Sequence, residues 1–377
     1  MKKTRPGSTR NTVSDDQAIS ILLENIRKLV QTARRTAVAA INSVQAVTNF
    51  EIGRLIVEHE QGGARRAEYG KEILRTLSTR LMNEFGQGFS KRNLEYMRRF
   101  YLLYRERLSQ IAQTPSAQLP VQAEGREAGK ITQTPSAQFS LGWSHYVFLM
   151  AIDDGDERSF YEIEALSQNW SLRELKRQFN SGLYERLALS RDKKGLRELS
   201  EKGQIVSAPQ DVIKDPYVLE FLGMQSKTGY SERDLETAII DRLEHFLLEL
   251  GKGFLFEARQ KRFTFGSDNF YVDLVFYNRL LRCYVLIDLK IGKLTHQDLG
   301  QMQMYVNYFD RCVCQKDENP SVGIVLCKMK HNAMVELTLP KNANIYASQY
   351  QLYLPSKEDL RKRLMEWAEE DSDQSGT

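Results

Sequence analysis

Two apolar runs in the last third of the sequence carry the side chains that could do chemistry. Residues 270–277 and 283–290 are rich in β-branched and aromatic residues, a composition that predicts two strands. The first run contains Asp273, and the second ends with Asp288 and Lys290. The short polar stretch between the runs suits a tight turn. We therefore predict a β-hairpin in which each strand carries a carboxylate.

Pairing of these strands would bring like charges together. If Tyr277 faces Tyr284 across the turn, then Asp273 faces Asp288. Opposed carboxylates repel each other, and a charge among apolar neighbours is costly unless it is paired. Lys290 lies two residues beyond Asp288, on the same face of the strand. A divalent ion such as Mg²⁺ or Mn²⁺, which prefers carboxylate oxygens, would be the second cation. A purely structural Asp–Lys ion pair is the alternative, and strand periodicity leaves both interpretations open.

The elements around the hairpin form an α/β pattern. Apolar residues recur at helical spacing over 232–250, and Gly251 then ends that helix. A second helix is predicted at 295–309 and a last one at 357–369, before an acidic tail. Helices and strands in this order are typical of an α/β domain. The other predicted strands cover 253–258, 261–265, 322–328 and 345–353.

The first half of the sequence shows helical periodicity only, with one interruption. Residues 109–140 are dominated by Gln, Pro, Ser, Thr, Gly and Ala and contain the stretch QTPSAQ twice, which predicts a flexible surface insertion. Residues 190–230 are polar and broken by prolines, and we predict an interdomain linker there. The predicted helices cover 17–61, 69–84, 90–107 and the stretch from Trp143 to Leu189.

Composition favours a globular protein of mildly basic charge. The net charge of +4 and the pI of about 8.7 permit a polyanionic partner without requiring one. Residues 1–16 are predicted to be a disordered basic tail, and no apolar signal segment follows them. No apolar run has the length of a membrane span, so we expect no membrane partner and a cytoplasmic location. The four cysteines lack zinc-site spacing and are expected to be reduced thiols.

At the acids and the lysine, the sequence resembles the PD-(D/E)XK nuclease superfamily. The order Asp273, Asp288 and Lys290 matches its D…(D/E)-x-K layout. Gln301 and Tyr305 on the following helix are similar to the Q-x-x-x-Y pattern of RecB-like nucleases. The resemblance implies a restriction-endonuclease-like fold, in which a mixed sheet is flanked by helices, and Mg²⁺-dependent hydrolysis of nucleic acid.

Most of the chain resembles one bacterial family, the YhcG-like proteins. Residues 231–354 are similar to its C-terminal nuclease domain, and the N-terminal region is similar to its helical domain. The ends and the insertion at 109–140 are not covered. The segments that carry the match are Gly251–Phe254, Arg259-Gln260, Ile287–Lys290, Glu51–Arg54, Gly88–Leu94, Trp143–Tyr146 and Asn169–Ser171.

The resemblance also implies roles for individual residues. Asp273 and Asp288 would bind the metal ion and Lys290 would be the catalytic lysine, while Gln301 and Tyr305 would order the lysine, the substrate or the attacking water.

Relatives often add a metal-binding glutamate from the first core helix. We assign Glu236, with Glu244 as the alternative eight residues further on. Two departures from the pattern are Val272 where Pro often precedes the first acid and Asp288 where many relatives carry Glu. Both variations occur within the superfamily, so the site stays plausible.

A basic helix in the N-terminal half could contact nucleic acid. It begins with Lys91, Arg92 and Asn93 after a glycine-rich turn, and Arg98 and Arg99 extend its positive charge. Cations and an amide at a helix N-terminus suit phosphate and base contacts, as in a helix-turn-helix DNA reader. The alternatives are a solvated face of a bundle helix, or a surface for a homodimer or a protein partner.

The sequence thus predicts an all-α domain at 17–189, a linker at 190–230, a nuclease domain at 231–356 and a helix with an acidic tail at 357–377. We expect a metal-dependent endonuclease with DNA favoured over RNA as its substrate. One rival is a DNA-binding or junction-binding protein that does not cleave. Another is an interaction module of a defence or mobile-element complex.

Overall fold

A computed structural model describes residues 12–63, 67–112, 139–189, 193–224, 229–340, 343–362 and 364. Two compact units divide the chain, Met1–Asp153 and Asp154–Thr377. Residues 1–11 of the expected basic tail and 113–138 of the expected insertion lie outside the described residues. No helix in the described part is both long enough and apolar enough to cross a membrane.

Unit 1 is helical in its described part, with helices α1 (Thr12–Gly63), α2 (Ala67–Phe85), α3 (Lys91–Ala112) and α4 (Trp143–Leu149). Helix α1 packs along α3 at Gly53, where a Cβ atom would lie 2.1 Å from the Met97 carbonyl oxygen. Only glycine fits there without a shift of one helix. Between α2 and α3 the chain turns at Gly86, whose φ of 90° favours glycine.

Unit 2 begins with helices α5 (Gly155–Ser167), α6 (Leu172–Asn180), α7 (Leu183–Leu189) and α8 (Lys193–Lys202). Further along the chain come α9 (Glu232–Asp241), α10 (Leu243–Leu250), α11 (His296–Tyr308), α12 (Asn332–Thr338) and a last helical segment at 357–362. A capping box formed by Ser171 and Glu174 opens α6. The single helix predicted over 232–250 is divided at Arg242, where the backbone leaves helical geometry.

The sheet of unit 2 has six strands in the order β1-β6-β5-β4-β3-β2. Strands β2, β3 and β4 pair antiparallel, whereas β4, β5, β6 and β1 pair parallel, so the predicted mixed sheet is confirmed. The strands are β1 (Tyr217–Val218), β2 (Phe254–Phe265), β3 (Asp268–Asn278), β4 (Cys283–Lys293), β5 (Val322–Met329) and β6 (Ile345–Gln351).

The segment predicted as a linker, 190–230, contributes ordered structure to unit 2. It contains α8 and the edge strand β1, and Leu199, Val212 and Tyr217 are buried in it. The apolar stretches there are only a few residues long, which is too short to produce a clear periodic signal. The boundary between the two compact units falls between residues 153 and 154 of the sequence, not within this segment.

The hairpin of β3 and β4 has the predicted register. Tyr277 pairs with Tyr284 and Val275 with Leu286. The ladder between these strands ends one pair later, at Leu274 and Ile287, and β4 continues beside β5 instead. Strand β2 runs uninterrupted where two short strands were predicted.

Apolar side chains cover both faces of the sheet. On one face, α9 and α10 contribute a cluster that includes Leu235, Ile239, Phe246, Leu274, Phe276, Val285 and Ile287. On the other face, α11 contributes a cluster that includes Leu299, Met302, Tyr305, Val275 and Leu286. The hairpin is therefore held between two layers of helices, and its polar residues lie where β3 and β4 separate.

Candidate active site

Asp288 is an acid buried in the middle of the sheet. Its residue is 3% exposed, and its strand pairs with β5 on one side. Lys290 Nζ lies 2.9 Å from the Asp288 Oδ2 atom as an ion pair. The same oxygen is buried and accepts no well-aligned hydrogen bond from any residue that the structure describes. Burial and the nearby Asp273 carboxylate raise the pKa of Asp288 to about 7, although Lys290 opposes the rise.

Asp273 lies next to Asp288, although the strand ladder ends before these residues. Its Oδ2 atom accepts a hydrogen bond of 2.8 Å from the backbone N–H of Leu289. This contact closes the gap where β3 and β4 separate, and it holds the Asp273 carboxylate close to the Asp288 side chain. The structure therefore brings the two acids together, as the sequence predicted, through a side-chain contact rather than a regular pair.

Lys290 is the charged partner of these acids. Its side chain is 18% exposed and lies 3.8 Å from the Asp298 carboxylate in addition to its contact with Asp288. Burial alone would lower the pKa of Lys290, but Asp288, Glu232 and Asp298 outweigh it and raise the pKa above its usual value. The ammonium group therefore stays charged at neutral pH.

Glu236 of α9 reaches the same place from the neighbouring helix. Its side chain is 5% exposed and receives the guanidinium of Arg259 on Oε1. The Gln260 amide donates to Glu236 Oε2 at 2.7 Å and to Asp273 Oδ1 at 2.9 Å, so one nitrogen joins the two acids. Glu244 belongs to α10 and is exposed. Of the two glutamates considered, Glu236 is the one beside Asp273.

The backbone at Gln260 has an unusual conformation. Its φ is 49°, in the left-handed region that residues with a side chain seldom occupy. Consecutive residues of a strand ordinarily point to opposite faces. Here both Arg259 and Gln260 direct donors at Glu236, because the left-handed residue breaks that alternation. Such a conformation costs about 1–3 kcal/mol and persists where the surroundings hold it.

Gln301 and Tyr305 form a pair on α11 that supports β3. The Gln301 amide donates to the Tyr305 hydroxyl, which donates in turn to the Tyr271 carbonyl oxygen at 2.8 Å. Tyr305 is 1% exposed. Because Tyr271 lies two residues before Asp273, this pair fixes the strand at the position of the acid. Within the part of the chain that the structure describes, neither Gln301 nor Tyr305 forms a hydrogen bond with Lys290.

Asp273 and Glu236 border an open pocket of about 610 Å³, and Asp288 is buried behind its lining. Within the described residues, no group of three or more acids, histidines or cysteines is arranged to hold a metal ion by itself. Two carboxylates with water molecules satisfy Mg²⁺, which usually keeps several waters. Asp273 and Asp288 share one ammonium, that of Lys290, so their oxygens carry a charge suited to such an ion. The lining residues are Glu232, Arg233, Glu236, Arg259, Gln260 and Asp273.

Three cations of the predicted nucleic-acid helix are exposed in unit 1. Lys91 and Arg92 lie in the first turn of α3, and Arg99 lies further along it. Lys91 is 3.8 Å from Glu95, and Arg92 donates to the Tyr96 hydroxyl at 2.9 Å. These contacts lie within the helix itself and leave the cations on the surface.

The other two residues predicted for nucleic-acid contact have internal partners. The Asn93 amide donates to the Gly88 carbonyl oxygen, and its own oxygen accepts from the Trp143 indole at 2.8 Å. Arg98 Nε donates to Glu60 at 2.7 Å, which joins α3 to α1. Asn93 and Arg98 therefore stabilise the helical unit in this structure.

Arg259 and Gln260 were not assigned a role from the sequence. They appeared there only as a segment that matched a family. Their contacts with Glu236 depend on a left-handed backbone at Gln260, and glutamine is not a residue whose presence predicts that conformation. The only sequence signal for them is that polar residues cluster in β2, although this strand neighbours an apolar hairpin.

Comparison with known proteins agrees with these features. Residues 210–365 match the family model described as "YhcG PDDEXK nuclease domain", and residues 25–186 match the "DUF1016 N-terminal domain". The curated protein "Putative nuclease YhcG" of Escherichia coli (strain K12) is 41% identical over 355 residues, which are 91% of this chain and 92% of that protein.

A solved structure, "crystal structure of a repair endonuclease from Pyrococcus abyssi", covers 35% of this chain and 51% of its own at 16% identity and a TM-score of 0.24. A likeness of that TM-score supports no inference about this chain. The identity to the curated relative extends over both the helical region and the region that contains Asp273, Asp288 and Lys290. The chain therefore belongs to the YhcG family, whose members join a DUF1016 N-terminal domain to a PDDEXK nuclease domain.

Proposed function

We propose that this protein is a Mg²⁺-dependent or Mn²⁺-dependent endonuclease that hydrolyses phosphodiester bonds of DNA. The observation that carries the proposal is the environment of Asp288. It is a buried acid whose Oδ2 atom lacks an aligned donor, next to a second carboxylate and a charged lysine. Asp273 and Asp288 share a single ammonium, that of Lys290, and a buried carboxylate charge left uncompensated is destabilising unless a further cation binds it.

Asp273, Asp288 and Glu236 would hold the ion. When bound, such an ion lowers the pKa of its water and neutralises charge on a phosphoryl group. Lys290, which is charged at neutral pH, would stabilise the negative charge that develops on the phosphodiester oxygens. Gln301 and Tyr305 would act as positioning residues, because they fix β3 through the Tyr271 carbonyl oxygen.

We propose that unit 1 supplies a nucleic-acid surface or a partner surface, with DNA favoured over RNA. Lys91 and Arg92 are exposed cations at the N-terminal end of a helix that follows a glycine-containing turn. A helix end of this kind is typical of proteins that contact the DNA backbone beside a groove. Size-exclusion chromatography and pull-down assays will show whether a second copy of the chain or another protein binds this surface instead.

We place the reaction in the cytoplasm. All four cysteines are free thiols, and two of them, Cys283 and Cys327, are buried in the sheet. Burial raises the pKa of both thiols, which makes them poor nucleophiles. Unpaired thiols suit a reducing compartment.

The test is cleavage of plasmid DNA in Mg²⁺ and in EDTA by the wild type, Asp288→Ala and Lys290→Ala. We expect the wild type to cleave only with Mg²⁺ and each variant to lose about 100-fold or more in rate. Asp268→Ala and Lys293→Ala are the matched controls, since these residues are exposed on the same two strands, and they should cleave normally. Cleavage that survives both site substitutions would remove the proposed site. Mg²⁺-independent binding without cleavage would favour the DNA-binding rival.

A further inference from the structure

The two oxygens of Glu236 are both engaged by donors from β2. The Arg259 guanidinium contacts Oε1, and the Gln260 amide donates to Oε2 at 2.7 Å. The Arg259 side chain is 35% exposed, whereas the Glu236 side chain is 5% exposed. Both residues line the open pocket, and the guanidinium occupies the Oε1 side of the carboxylate there. A cation that binds Glu236 at Oε1 competes with it.

The pocket is unfavourable to phosphate while the guanidinium stays paired. Its lining has three carboxylates, Glu232, Glu236 and Asp273, and only two guanidinium groups, Arg233 and Arg259. A lining of that charge repels a polyanion. A divalent ion at Glu236 would reverse the sign and would also free the Arg259 side chain. A guanidinium matches two phosphate oxygens through parallel N–H donors, and it keeps its charge at any working pH.

We infer that Arg259 is a phosphate-binding residue of this site, and that its ion pair with Glu236 makes phosphate binding depend on prior binding of the metal ion. The inference rests on the proposed function, because it takes Glu236 as an ion ligand. In the ion-free protein, Glu236 holds Arg259, and nucleic acid binds weakly at the pocket. Ion binding at Glu236 releases the guanidinium toward the phosphodiester, so ion and substrate strengthen each other's binding.

The first experiment removes the carboxylate charge in the absence of any metal. We expect Glu236→Gln in EDTA to bind a short fluorescein-labelled DNA duplex roughly tenfold more tightly than the wild type, as measured by fluorescence anisotropy. That factor is what one charge-assisted contact contributes. Adding Arg259→Gln to Glu236→Gln should abolish the gain, while Arg259→Gln alone should change DNA affinity in EDTA very little.

Glu232→Gln is the matched control for this experiment. It removes the same charge from the same pocket, but Glu232 contacts the Ile291 backbone N–H and not Arg259. The gain in DNA affinity of Glu232→Gln measures how much the negative charge of the pocket repels DNA in general. This gain should be smaller than that of Glu236→Gln, and adding Arg259→Gln should not change it. The double-mutant cycle isolates the Glu236–Arg259 interaction from the field of the pocket.

The second experiment uses the metal alone. Isothermal titration calorimetry with Mg²⁺ should show tighter binding to Arg259→Gln than to the wild type by several-fold, because the competing guanidinium is gone. Arg233→Gln is the control: it removes the same charge from the lining, and Arg233 forms no ion pair within the described part of the chain. A loss of Mg²⁺ affinity in Arg259→Gln would show that Arg259 only supports the fold of the site.

The outcomes separate this inference from the proposed hydrolysis. Equal DNA affinities of the wild type and Glu236→Gln in EDTA, including no detectable binding by either, overturn the inference whether or not the wild type cleaves. The expected cycle in a protein that does not cleave would support Arg259 as a phosphate-binding residue and reject hydrolysis. Thermal unfolding of each variant in EDTA confirms that the compared proteins are folded.

Discussion

Among single residues, Asp288 is an acid in surroundings that oppose its charge. Burial and the Asp273 carboxylate raise its pKa from 3.8 to about 7. A raised pKa means that the folded chain prefers the protonated form. The stability contributed by this preference is therefore complete below about pH 4, and it is lost as the pH rises through about 7. At pH 8 the ion-free site holds a charge that lowers the free energy of unfolding.

A first prediction follows for the ion-free protein. In EDTA at pH 8, Asp288→Asn should unfold several degrees above the wild type, because asparagine has the shape of the side chain without its charge. At pH 5 the difference should be much smaller, since the folded wild type then holds Asp288 protonated and only its unfolded chain ionises that residue. Differential scanning calorimetry at both pH values measures the difference.

Comparison of the two proteins at each pH cancels the titration of groups that do not interact with Asp288. Asp268→Asn, at an exposed position of β3, is the control for removal of an acid and should show no such dependence on pH. A stability difference that is the same at pH 5 and pH 8 would contradict the raised pKa. Asp288 would then be stable in its charged form beside Lys290 alone.

Among the helices, the contact between α1 and α3 depends on a single glycine. Replacing a helical glycine by alanine ordinarily stabilises a protein by about 0.5–1 kcal/mol. At Gly53 the added Cβ atom would lie 2.1 Å from the Met97 carbonyl oxygen, which belongs to the backbone and cannot rotate away. We therefore expect Gly53→Ala to lower the free energy of unfolding of unit 1 by about 2 kcal/mol or more.

Gly300 provides the matched comparison for that prediction. It lies in the middle of α11, it is exposed, and a Cβ atom there would meet nothing within 4 Å. Gly300→Ala should thus raise the midpoint of thermal unfolding slightly, while Gly53→Ala lowers it, as followed by circular dichroism at 222 nm. If both substitutions stabilise, then α1 and α3 are not in contact as described.

The hairpin is the part of the site that sequence patterns could predict. The register assumed around the turn pairs Tyr277 with Tyr284, as the structure does, and it puts Asp273 and Asp288 at one end of the hairpin. The same reasoning placed Lys290 beside Asp288, where the two groups form an ion pair. Local periodicity succeeds here because both strands are apolar throughout and joined by a short turn.

Features that depend on distant parts of the chain were not predictable in this way. Strand β1 is two residues long and pairs with β6, more than 100 residues later, so no local pattern reveals it. The break at Arg242 leaves the apolar spacing of α9 and α10 intact. The contacts of Arg259 with Glu236 require a left-handed Gln260, which tertiary structure imposes. Whether Asp273, Asp288 and Lys290 cleave DNA is still a prediction that only an assay tests.

At the scale of the whole chain, a buried cluster of charged residues joins helices α6 and α7 to α10 within unit 2. Glu249 of α10 is 0% exposed, and Arg186 of α7 donates to its Oε1 atom at 2.6 Å. Arg177 of α6 contacts Oε2 at 3.3 Å, and Lys214 donates to the Glu249 carbonyl oxygen. Burial alone would raise the pKa of Glu249, but Arg186, Lys214 and Arg177 outweigh it and lower the pKa to about 2. Helices α6 and α7 therefore pack with unit 2, although the match to the DUF1016 N-terminal domain extends to residue 186.

Removal of one partner from a buried ion pair costs about 3–5 kcal/mol, which is a large share of the stability of a typical domain. A fragment that begins at 154 keeps every member of the cluster, and we expect it to be soluble and to unfold cooperatively. A fragment that begins at 231 loses Arg177, Arg186, Lys214 and strand β1, and it should fail to fold. Urea unfolding, followed by far-ultraviolet circular dichroism, compares the stabilities of the two fragments.

A third fragment, starting at 210 where the nuclease-domain match begins, distinguishes the cluster from the strand. It retains Lys214 and β1 but lacks Arg177 and Arg186, so Glu249 stays buried without its guanidinium partners. We expect this fragment to be markedly less stable than the one that begins at 154. Glu249→Gln introduced into the 210 fragment should then recover part of that loss, because it removes the unpaired charge, whereas in the 154 fragment the same substitution should destabilise. Equal stability of all three fragments would show that the nuclease sheet folds without α6 and α7, and that the cluster contributes little to holding unit 2 together.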